Sequence, residues 1–352
     1  MKRQRLLIVD DSPLVRKTIL DLFADEESVE IVGQAENGIE ALYQISQLKP
    51  DVITMDISMP GMDGLSALKH LMIKHPTPVV MLSSLTKEGA AITFDALRFG
   101  AVDIISKPSA IESEGALDEQ AADILSKIEF ASQVEVGAIK YIRRKNGVAA
   151  AGSQPGSGTV AKRVVAIGAA EGGYGALLKI IPHLRPDSET AYLVTLYAAP
   201  HHVNAFARYL NSYGELQVKV GEHDEVVRPG VCYLNSGVNY MTLHRYESDP
   251  VLHVSPAPFA SRKGSIDMMF FSTAEVMEDE SYGVILSGCG SDGFEGLDEI
   301  ERVGGATIVQ DQHTALCKGM INAAMARVNV GHIESDSRIA AVLNDLLGNR
   351  QG

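Results

Sequence analysis

The chain has 352 residues and a formal net charge of −14, and hydrophobic residues make up 45% of it. It is longer than the ~250 to 300 residues at which a single hydrophobic core stops growing, so we expect two domains. The negative charge repels polyanions, which argues against nucleic-acid binding and against adsorption to anionic membranes.

The sequence predicts neither membrane insertion nor secretion. No apolar run approaches the roughly 18 residues that span a bilayer. The basic residues 1–5 precede an apolar run, residues 6–9, that is too short for a signal-peptide core. Cys232, Cys289 and Cys317 are widely spaced and odd in number, which suits a reducing compartment and predicts neither a disulfide framework nor a zinc site. We therefore expect a soluble, cytoplasmic protein.

Short apolar segments alternate with helical patterns in the first half of the chain. This alternation predicts βαβ units and a parallel sheet. A first helix should begin at Ser12-Pro13, since serine caps helix N-termini and proline fits the first helical position. A charged helical pattern follows at residues 117–144. The predicted strands are residues 6–9, 31–32, 52–55, 79–82 and 102–105.

A glycine-, serine- and alanine-rich segment, residues 149–158, has the composition of a flexible linker. We predict a first domain over residues 1–125, a helical extension and linker over 126–161, and a second domain over 162–348. The second domain is again α/β, with a hairpin between residues 231 and 254, where no room is left for helices. Its predicted strands are residues 164–167, 192–196, 217–220, 231–234, 283–286 and 307–309.

Polar residues follow the predicted strands of the first domain. Asp10 and Asp11 follow the first strand, Asp56 the third, Ser83 the fourth and Lys107 the fifth. Because ligands of open parallel sheets bind outside the carboxyl ends of the strands, we expect these side chains to converge. Solvated loop residues are the plain alternative for any one of them, but not for the whole set.

The chemistry of this set favours phosphoryl transfer. Three carboxylates suit Mg²⁺, which prefers oxygen ligands, and Asp56 could act as the nucleophile that forms an aspartyl phosphate. The metal and Lys107 would neutralise the phosphoryl oxygens, and Ser83 could hydrogen-bond the attached group.

With residues 59–64 (MPGMDG), these positions resemble the receiver domain of two-component response regulators over roughly residues 4–125. The resemblance implies a flavodoxin-like fold, a histidine kinase as phosphodonor, Asp56 as phosphoacceptor, Asp10 and Asp11 as further Mg²⁺ ligands, and Ser83 and Lys107 as the switch pair. It also implies a cis peptide before Pro108. Many receivers carry an aromatic residue three positions before the lysine, where this sequence has Ile104.

Residues 164–173 (VVAIGAAEGG) predict a buried strand, a glycine-rich turn and a helix start. A serine hydrolase built on a parallel sheet presents its nucleophile on such a turn. This chain has Ala170 and Glu171 there, so the turn lacks an obvious reactive atom. A turn that simply tolerates any small residue is the plain alternative.

Residues 162–347 resemble the catalytic domain of chemotaxis protein-glutamate methylesterase, which implies a Rossmann-like fold and a Ser-His-Asp triad. At the serine position stands Ala170, at the histidine position Ala198, and only the aspartate is kept, as Asp292. The matching segments include residues 165–169, 172–173, 227–230, 265–267, 283–293, 310–311 and 319–320.

His201, His202, Cys289 and Ser291 are near these positions, but none lies on the turn that carries Ala170, so we do not expect them to replace the triad. His201 and His202 follow Pro200, where we expect surface positions at a helix start, and we expect Cys289 to be a small packed residue. A carboxylate at Glu171 would repel an anionic intermediate.

Three functions stay open at this point. The first is a phosphorylation-controlled regulator whose methylesterase-like domain is inactive and binds a partner such as a chemoreceptor, a kinase complex or an adaptor. The second is an active methylesterase or glutamine deamidase with a rebuilt site that uses His201, His202 or Cys289. The third is a phosphate sink, in which the receiver draws phosphoryl groups from a shared kinase and the second domain is passive.

Overall fold

The computed structural model describes residues 3–24, 26–83, 89–107, 114–134, 136, 159–256 and 264–349. The chain divides into two compact units, Met1–Arg143 and Arg144–Gly352. The predicted linker, residues 149–158, and the peptide bond before Pro108 lie outside the described residues. Within the described part of the chain, no helix is long and apolar enough to cross a membrane.

The first unit contains a five-stranded parallel sheet in the order β2-β1-β3-β4-β5. Every strand predicted for this half overlaps an observed strand. The helix predicted over residues 117–144 instead ends at Ser132. The elements are β1 Gln4–Val9, α1 Pro13–Leu22, β2 Val29–Ala35, α2 Gly38–Leu48, β3 Val52–Asp56, α3 Gly64–Lys74, β4 Val79–Ser83, α4 Gly89–Arg98, β5 Asp103–Ser106 and α5 Glu114–Ser132.

Local sequence explains where the helices of this unit begin. Ser12 accepts a hydrogen bond from the Val15 N–H, and Pro13 takes the first helical position, as predicted for α1. Asn37 and Asp63 cap α2 and α3 in the same way. The central strand β3 is buried along its whole length, which is typical of a parallel strand covered on both faces.

The second unit contains a seven-stranded parallel sheet in the order β15-β14-β13-β6-β7-β10-β8 and an antiparallel three-stranded sheet in the order β11-β12-β9. The elements are β6 Arg163–Ala169, α6 Gly173–Ile180, β7 Thr190–Leu196, α7 Pro200–Asn211, β8 Gln217–Val220, β9 Glu225–Val226, β10 Val231–Asn235, β11 Asn239–Tyr246, β12 Asp249–Pro256, α8 Ser265–Met277, β13 Ser281–Ile285, α9 Phe294–Arg302, β14 Ala306–Gln310, α10 Gly319–Arg327, β15 His332–Glu334 and α11 Ile339–Asn349.

The predicted fold class, two α/β domains with parallel sheets, is confirmed, and so is the hairpin, which consists of β11 and β12. Two short strands were not predicted, β9 and β15. Neither contains an apolar run, and both pair at the edge of their sheet.

Candidate functional sites

The acidic residues of the first unit meet at the carboxyl edge of its sheet. Asp10 follows β1, Asp56 ends β3 and Lys107 follows β5. The Lys107 Nζ lies 2.9 Å from Asp10 Oδ2 and 2.8 Å from Asp56 Oδ2. Both of these aspartates are buried, whereas Asp11 is exposed. We call Asp10, Asp11, Asp56 and Lys107 the Asp56 cluster.

Burial and charge act on the Asp56 cluster in opposite directions. Burial raises the pKa of Asp56, and the nearby Asp10 charge adds to this, although Lys107 opposes both. Burial lowers the pKa of Lys107, but its hydrogen bonds and ion pairs with Asp56 and Asp10 together outweigh burial and raise it. Lys107 therefore stays cationic at neutral pH and balances part of the negative charge around it.

The donor set of the Asp56 cluster fits a hard divalent cation. Carboxylate oxygens of Asp10, Asp11 and Asp56 lie within 4.8 Å of one another. One lysine does not neutralise these three carboxylates, and Mg²⁺ takes oxygen ligands. The N–H of Ser12 donates to Asp10 Oδ1 at 2.9 Å, which orients that carboxylate.

Ser83 lies on the strand next to Asp56. The register pairs Asp56 with Leu82, so Ser83 is one position further along β4. Its hydroxyl is 2.9 Å from the Thr93 hydroxyl on α4, and both side chains are buried. Ser83 thus connects the edge of the sheet to α4.

The glycine-rich turn of the second unit follows β6 and is buried. Ala170 is 3% exposed, and its N–H donates to the Ser287 carbonyl at 2.9 Å. Gly172 has a φ of 78° and caps α6. A Cβ built on Gly288 would lie 2.8 Å from the Ala170 Cβ and 2.1 Å from the Met320 Sδ. Gly288 thus leaves no room for a side chain at this point, and Ala170 belongs with Met320 to the buried hydrophobic core of the second unit.

Ala198 is also buried. It is 1% exposed, and its N–H donates to the Ser236 carbonyl at 3.5 Å. It lies just before α7, which begins at Pro200 after the N-cap residue Ala199. The neighbouring Tyr197 N–H donates to the Ala169 carbonyl at 3.0 Å, so the turns after β6 and β7 lie side by side.

Asp292 is held by hydrogen bonds from the first turn of α8 and from a tyrosine. Its Oδ2 accepts from the Ile266 N–H at 3.0 Å, and its Oδ1 accepts from the Asp267 N–H at 3.1 Å. The Tyr197 hydroxyl also donates to Oδ2 and accepts from the Ser265 N–H. Burial and the Asp292 charge raise the pKa of Tyr197 far above its ordinary value, so it stays a donor.

A second carboxyl group lies beside Asp292. Asp267 accepts from the Gly296 N–H of α9 at 2.8 Å. Burial, together with the hydrogen bond to Asp292 and its charge, raises the pKa of Asp267 to about 7. Among the residues that the structure describes, no lysine or arginine forms an ion pair with either carboxyl. We call Tyr197, Asp267 and Asp292 the Asp292 cluster.

The sequence did not single out Tyr197 or Asp267 as site residues. The available signal was that Tyr197, which carries a hydroxyl donor, directly precedes Ala198, the residue at the histidine position. The role of that donor depends on the loop that carries Asp292, which is 95 residues away in sequence.

Comparisons with known proteins match both units. The response regulator receiver domain family matches residues 6–127, and the CheB methylesterase family matches residues 165–343. A protein-glutamate methylesterase/protein-glutamine glutaminase of Archaeoglobus fulgidus is 37% identical and covers 97% of each chain. The chain belongs to the CheB methylesterase family. It is a chemotaxis-type response regulator with a receiver domain and a methylesterase domain, and both predicted resemblances are confirmed.

Other relatives agree with this assignment. The protein-glutamate methylesterase/protein-glutamine glutaminase of Pyrococcus horikoshii is 34% identical over 94% of this chain and 90% of its own length. The crystal structure of the Thermotoga maritima CheB methylesterase catalytic domain matches 53% of this chain and all of that domain, with 26% identity and a TM-score of 0.50. The second unit thus has the fold of a CheB methylesterase catalytic domain.

Two expectations about neighbouring residues are wrong. Cys289 is exposed rather than packed, and it forms a disulfide with Cys317, with a Cα–Cα distance of 5.4 Å. This disulfide also corrects the expectation, drawn from the wide spacing and odd number of the cysteines, that they form no disulfide framework, because a separation of 28 residues in sequence does not prevent a contact in the fold. They meet because they lie on loops that follow β13 and β14, which are adjacent in the sheet.

His202 is the second correction. It is 2% exposed, whereas its neighbour His201 is exposed as expected. Their rings lie 4.5 Å apart. The reason is the periodicity of α7, which buries His202 on the same side as Val203 and Phe206.

Glu171 is bonded to the loop that carries the disulfide. Its Oε2 accepts from the Cys289 N–H at 2.8 Å, and its carbonyl accepts from the Ser287 hydroxyl at 2.7 Å. The Glu171 carboxylate therefore already accepts a hydrogen bond from a backbone N–H beside the glycine-rich turn.

Proposed function

We propose that this protein is a phosphorylation-controlled response regulator whose methylesterase domain is catalytically inactive and acts by binding a protein, such as a chemoreceptor or an adaptor. The observation that carries the proposal is the Asp292 cluster. The aspartate that would orient a catalytic histidine is bonded to Tyr197, Ile266 and Asp267 instead.

The two missing triad positions support the loss of catalysis. Ester hydrolysis by this family's chemistry needs a hydroxyl nucleophile and an imidazole base within hydrogen-bond reach. The methyl groups of Ala170 and Ala198 provide neither, and both are buried. Tyr197 does not substitute as the base because its raised pKa keeps its proton on the hydroxyl.

The geometry of the Asp56 cluster supports phosphoryl transfer in the first unit. An Asp56 carboxylate oxygen would attack the phosphorus of a kinase phosphohistidine, and the bond from phosphorus to the histidine nitrogen would break. Lys107 would pair with the transferred group, and the contact between its ammonium and Asp56 supports this role. Bound Mg²⁺, held by Asp10, Asp11 and Asp56, would neutralise charge on the phosphoryl oxygens.

A rebuilt hydrolase site has less support. Cys289 is in a disulfide, and a disulfide sulfur is not a thiolate nucleophile. The buried ring of His202 lies on α7 beyond Pro200, and the exposed His201 precedes it. Neither lies on the turn that carries Ala170.

The test is methanol release from methylated chemoreceptor by the full chain, with Mg²⁺ and acetyl phosphate, alongside the Archaeoglobus fulgidus relative as the positive control. We expect release at background level. Hydrolysis at a rate comparable to that of the relative would overturn the proposal.

The binding role is tested separately, by titration of purified receptor cytoplasmic domain into phosphorylated full chain. We expect binding that Asp56→Asn abolishes and that Asp21→Asn, a change at an exposed aspartate on α1, leaves intact. Phosphorylation without any binding to the receptor or to a purified adaptor would instead favour the phosphate sink.

A further inference from the structure

Outside both sites, histidines gather on the antiparallel sheet of the second unit. His223 precedes β9, His244 lies in β11 and His253 lies in β12. The His253 ring centre is 4.4 Å from that of His223 and 5.1 Å from that of His244. We call these three residues and Asp224 the histidine cluster.

The spacing of potential ligand atoms in this cluster is short enough for a metal site. One ligand atom each from His223, Asp224 and His253 lies within 4.8 Å of the others. The His223 Nε2 is 3.4 Å from Asp224 Oδ1. Two ligands about 2.1 Å from a tetrahedral ion are about 3.4 Å apart, so this pair needs little movement to bind one.

The backbone keeps these groups together. The Asp224 φ of 59° is in the left-handed region, which is uncommon for a residue other than glycine. The Asp224 N–H donates to the Leu252 carbonyl at 2.9 Å, which ties this turn to β12. In the same sheet, Thr242 on β11 pairs with His253 on β12. The Thr242 hydroxyl is 3.0 Å from His244 Nε2.

We propose that the histidine cluster binds a divalent transition metal ion such as Zn²⁺, through His223, Asp224 and His253. Imidazole nitrogens favour Zn²⁺, Cu²⁺ or Ni²⁺ over Mg²⁺, so the site differs in selectivity from the Asp56 cluster. His244 lies beside His253 and provides a further imidazole.

The hydrogen bonds of the free cluster show what binding requires. The Val254 N–H donates to His223 Nδ1 at 3.2 Å, so the ring proton faces Asp224. A metal at Nε2 moves that proton to Nδ1 and ends the bond from Val254. The His253 ring makes no hydrogen bond within the described ranges, so it needs no such change.

The test is binding of ZnCl₂ to the untagged, oxidised full chain, measured by equilibrium dialysis with metal analysis and by calorimetry in the presence of MgCl₂. We expect His253→Gln and His223→Gln each to weaken Zn²⁺ binding by at least ~10-fold, with a smaller effect of His244→Gln. Circular dichroism checks that the variants are folded.

His313 provides a matched control. It is an exposed histidine whose Nδ1 lies 2.8 Å from Asp311, but among the residues that the structure describes it belongs to no group that could hold a metal ion. We expect His313→Gln to bind Zn²⁺ like the unchanged chain. Zn²⁺ binding that is unaffected by His253→Gln, or no binding at all, would overturn the proposal. Selective perturbation of the His223 and His253 ring signals in NMR spectra would support it independently.

Discussion

The Asp56 cluster and the Asp292 cluster are both groups of carboxyl side chains at the carboxyl edge of a parallel sheet, but their charges are balanced differently. In the first, Lys107 contacts two aspartates, and Asp11 is exposed beside them. In the second, Asp292 is surrounded by N–H groups and the Tyr197 hydroxyl, and the raised pKa of Asp267 favours a neutral partner.

This difference separates a site that can accept a ligand from a site that is satisfied internally. The excess negative charge of the Asp56 cluster favours a bound cation. Asp292 uses its acceptor capacity within the protein, so it has little left with which to orient an added base. Under the proposed function, Asp292 is kept in sequence without its catalytic role, because that role depends on which donor the aspartate faces.

The largest expected effect comes from rebuilding the triad. We expect Ala170→Ser combined with Ala198→His to give no ester hydrolysis above background, because Tyr197 holds Asp292. Adding Tyr197→Gln should release Asp292 to orient the imidazole, which is worth on the order of 10⁴ in kcat for a serine triad. Methanol release from methylated receptor measures the gain. Equal activity of the double and triple variants would show that Tyr197 does not block Asp292.

The next largest effect is expected from reduction of the disulfide, which should destabilise the second unit and leave the first unit unchanged. Reducing the disulfide between Cys289 and Cys317, which are 28 residues apart, should destabilise the second unit by about 3 to 4 kcal/mol from chain entropy. In urea unfolding of the full chain, the transition of the second unit should move to lower urea concentration on reduction, and the transition of the receiver domain should not move. Because Cys232 is buried, thiol titration of the urea-unfolded chain should find Cys232 alone before reduction and all 3 cysteines after it.

The control for this experiment is the double variant Cys289→Ala with Cys317→Ala, whose unfolding should not respond to dithiothreitol. A reductant-insensitive native chain would contradict the disulfide.

The smallest effect is the pH dependence that Asp267 gives to the second unit. Its folded pKa, about 7, lies above the ordinary value of 3.8, so the folded state holds the proton more tightly. The contribution of Asp267 to the free energy of unfolding of the second unit is complete below about pH 3.8 and is lost as pH rises through 7. Between pH 5 and 8, the unchanged chain should lose on the order of 1 to 3 kcal/mol of the free energy of unfolding of the second unit. Asp267→Asn should abolish this pH dependence.

Urea unfolding of the second unit at several pH values measures this change. Asp298→Asn, at an exposed aspartate on α9, is the matched control and should keep the slope of the unchanged chain. The same slope in Asp267→Asn would show that Asp267 is already ionised in the folded state.

The sequence predicted the parts of the fold and of the candidate site that follow from the positions of the strands. Residues that follow a strand, such as Asp10, Asp56 and Lys107, meet because parallel strands end at one edge. The bond from Tyr197 to Asp292, the disulfide of Cys289 and the burial of His202 depend on loop paths and helix rotation, which periodicity does not specify.

The hydrogen bond from the Cys289 N–H to Glu171 has a consequence for any partner of this domain. Glu171 and Cys289 are 118 residues apart in sequence, but the fold holds the Glu171 carboxylate against this N–H, so it competes with ligands in solution as an intramolecular group at high effective concentration. A partner that presents its own carboxylate to this N–H must displace Glu171 first, whereas one that presents an amide or a cation can use the Glu171 oxygens directly. The chain thereby carries a built-in competitor that selects against acidic ligands at this N–H.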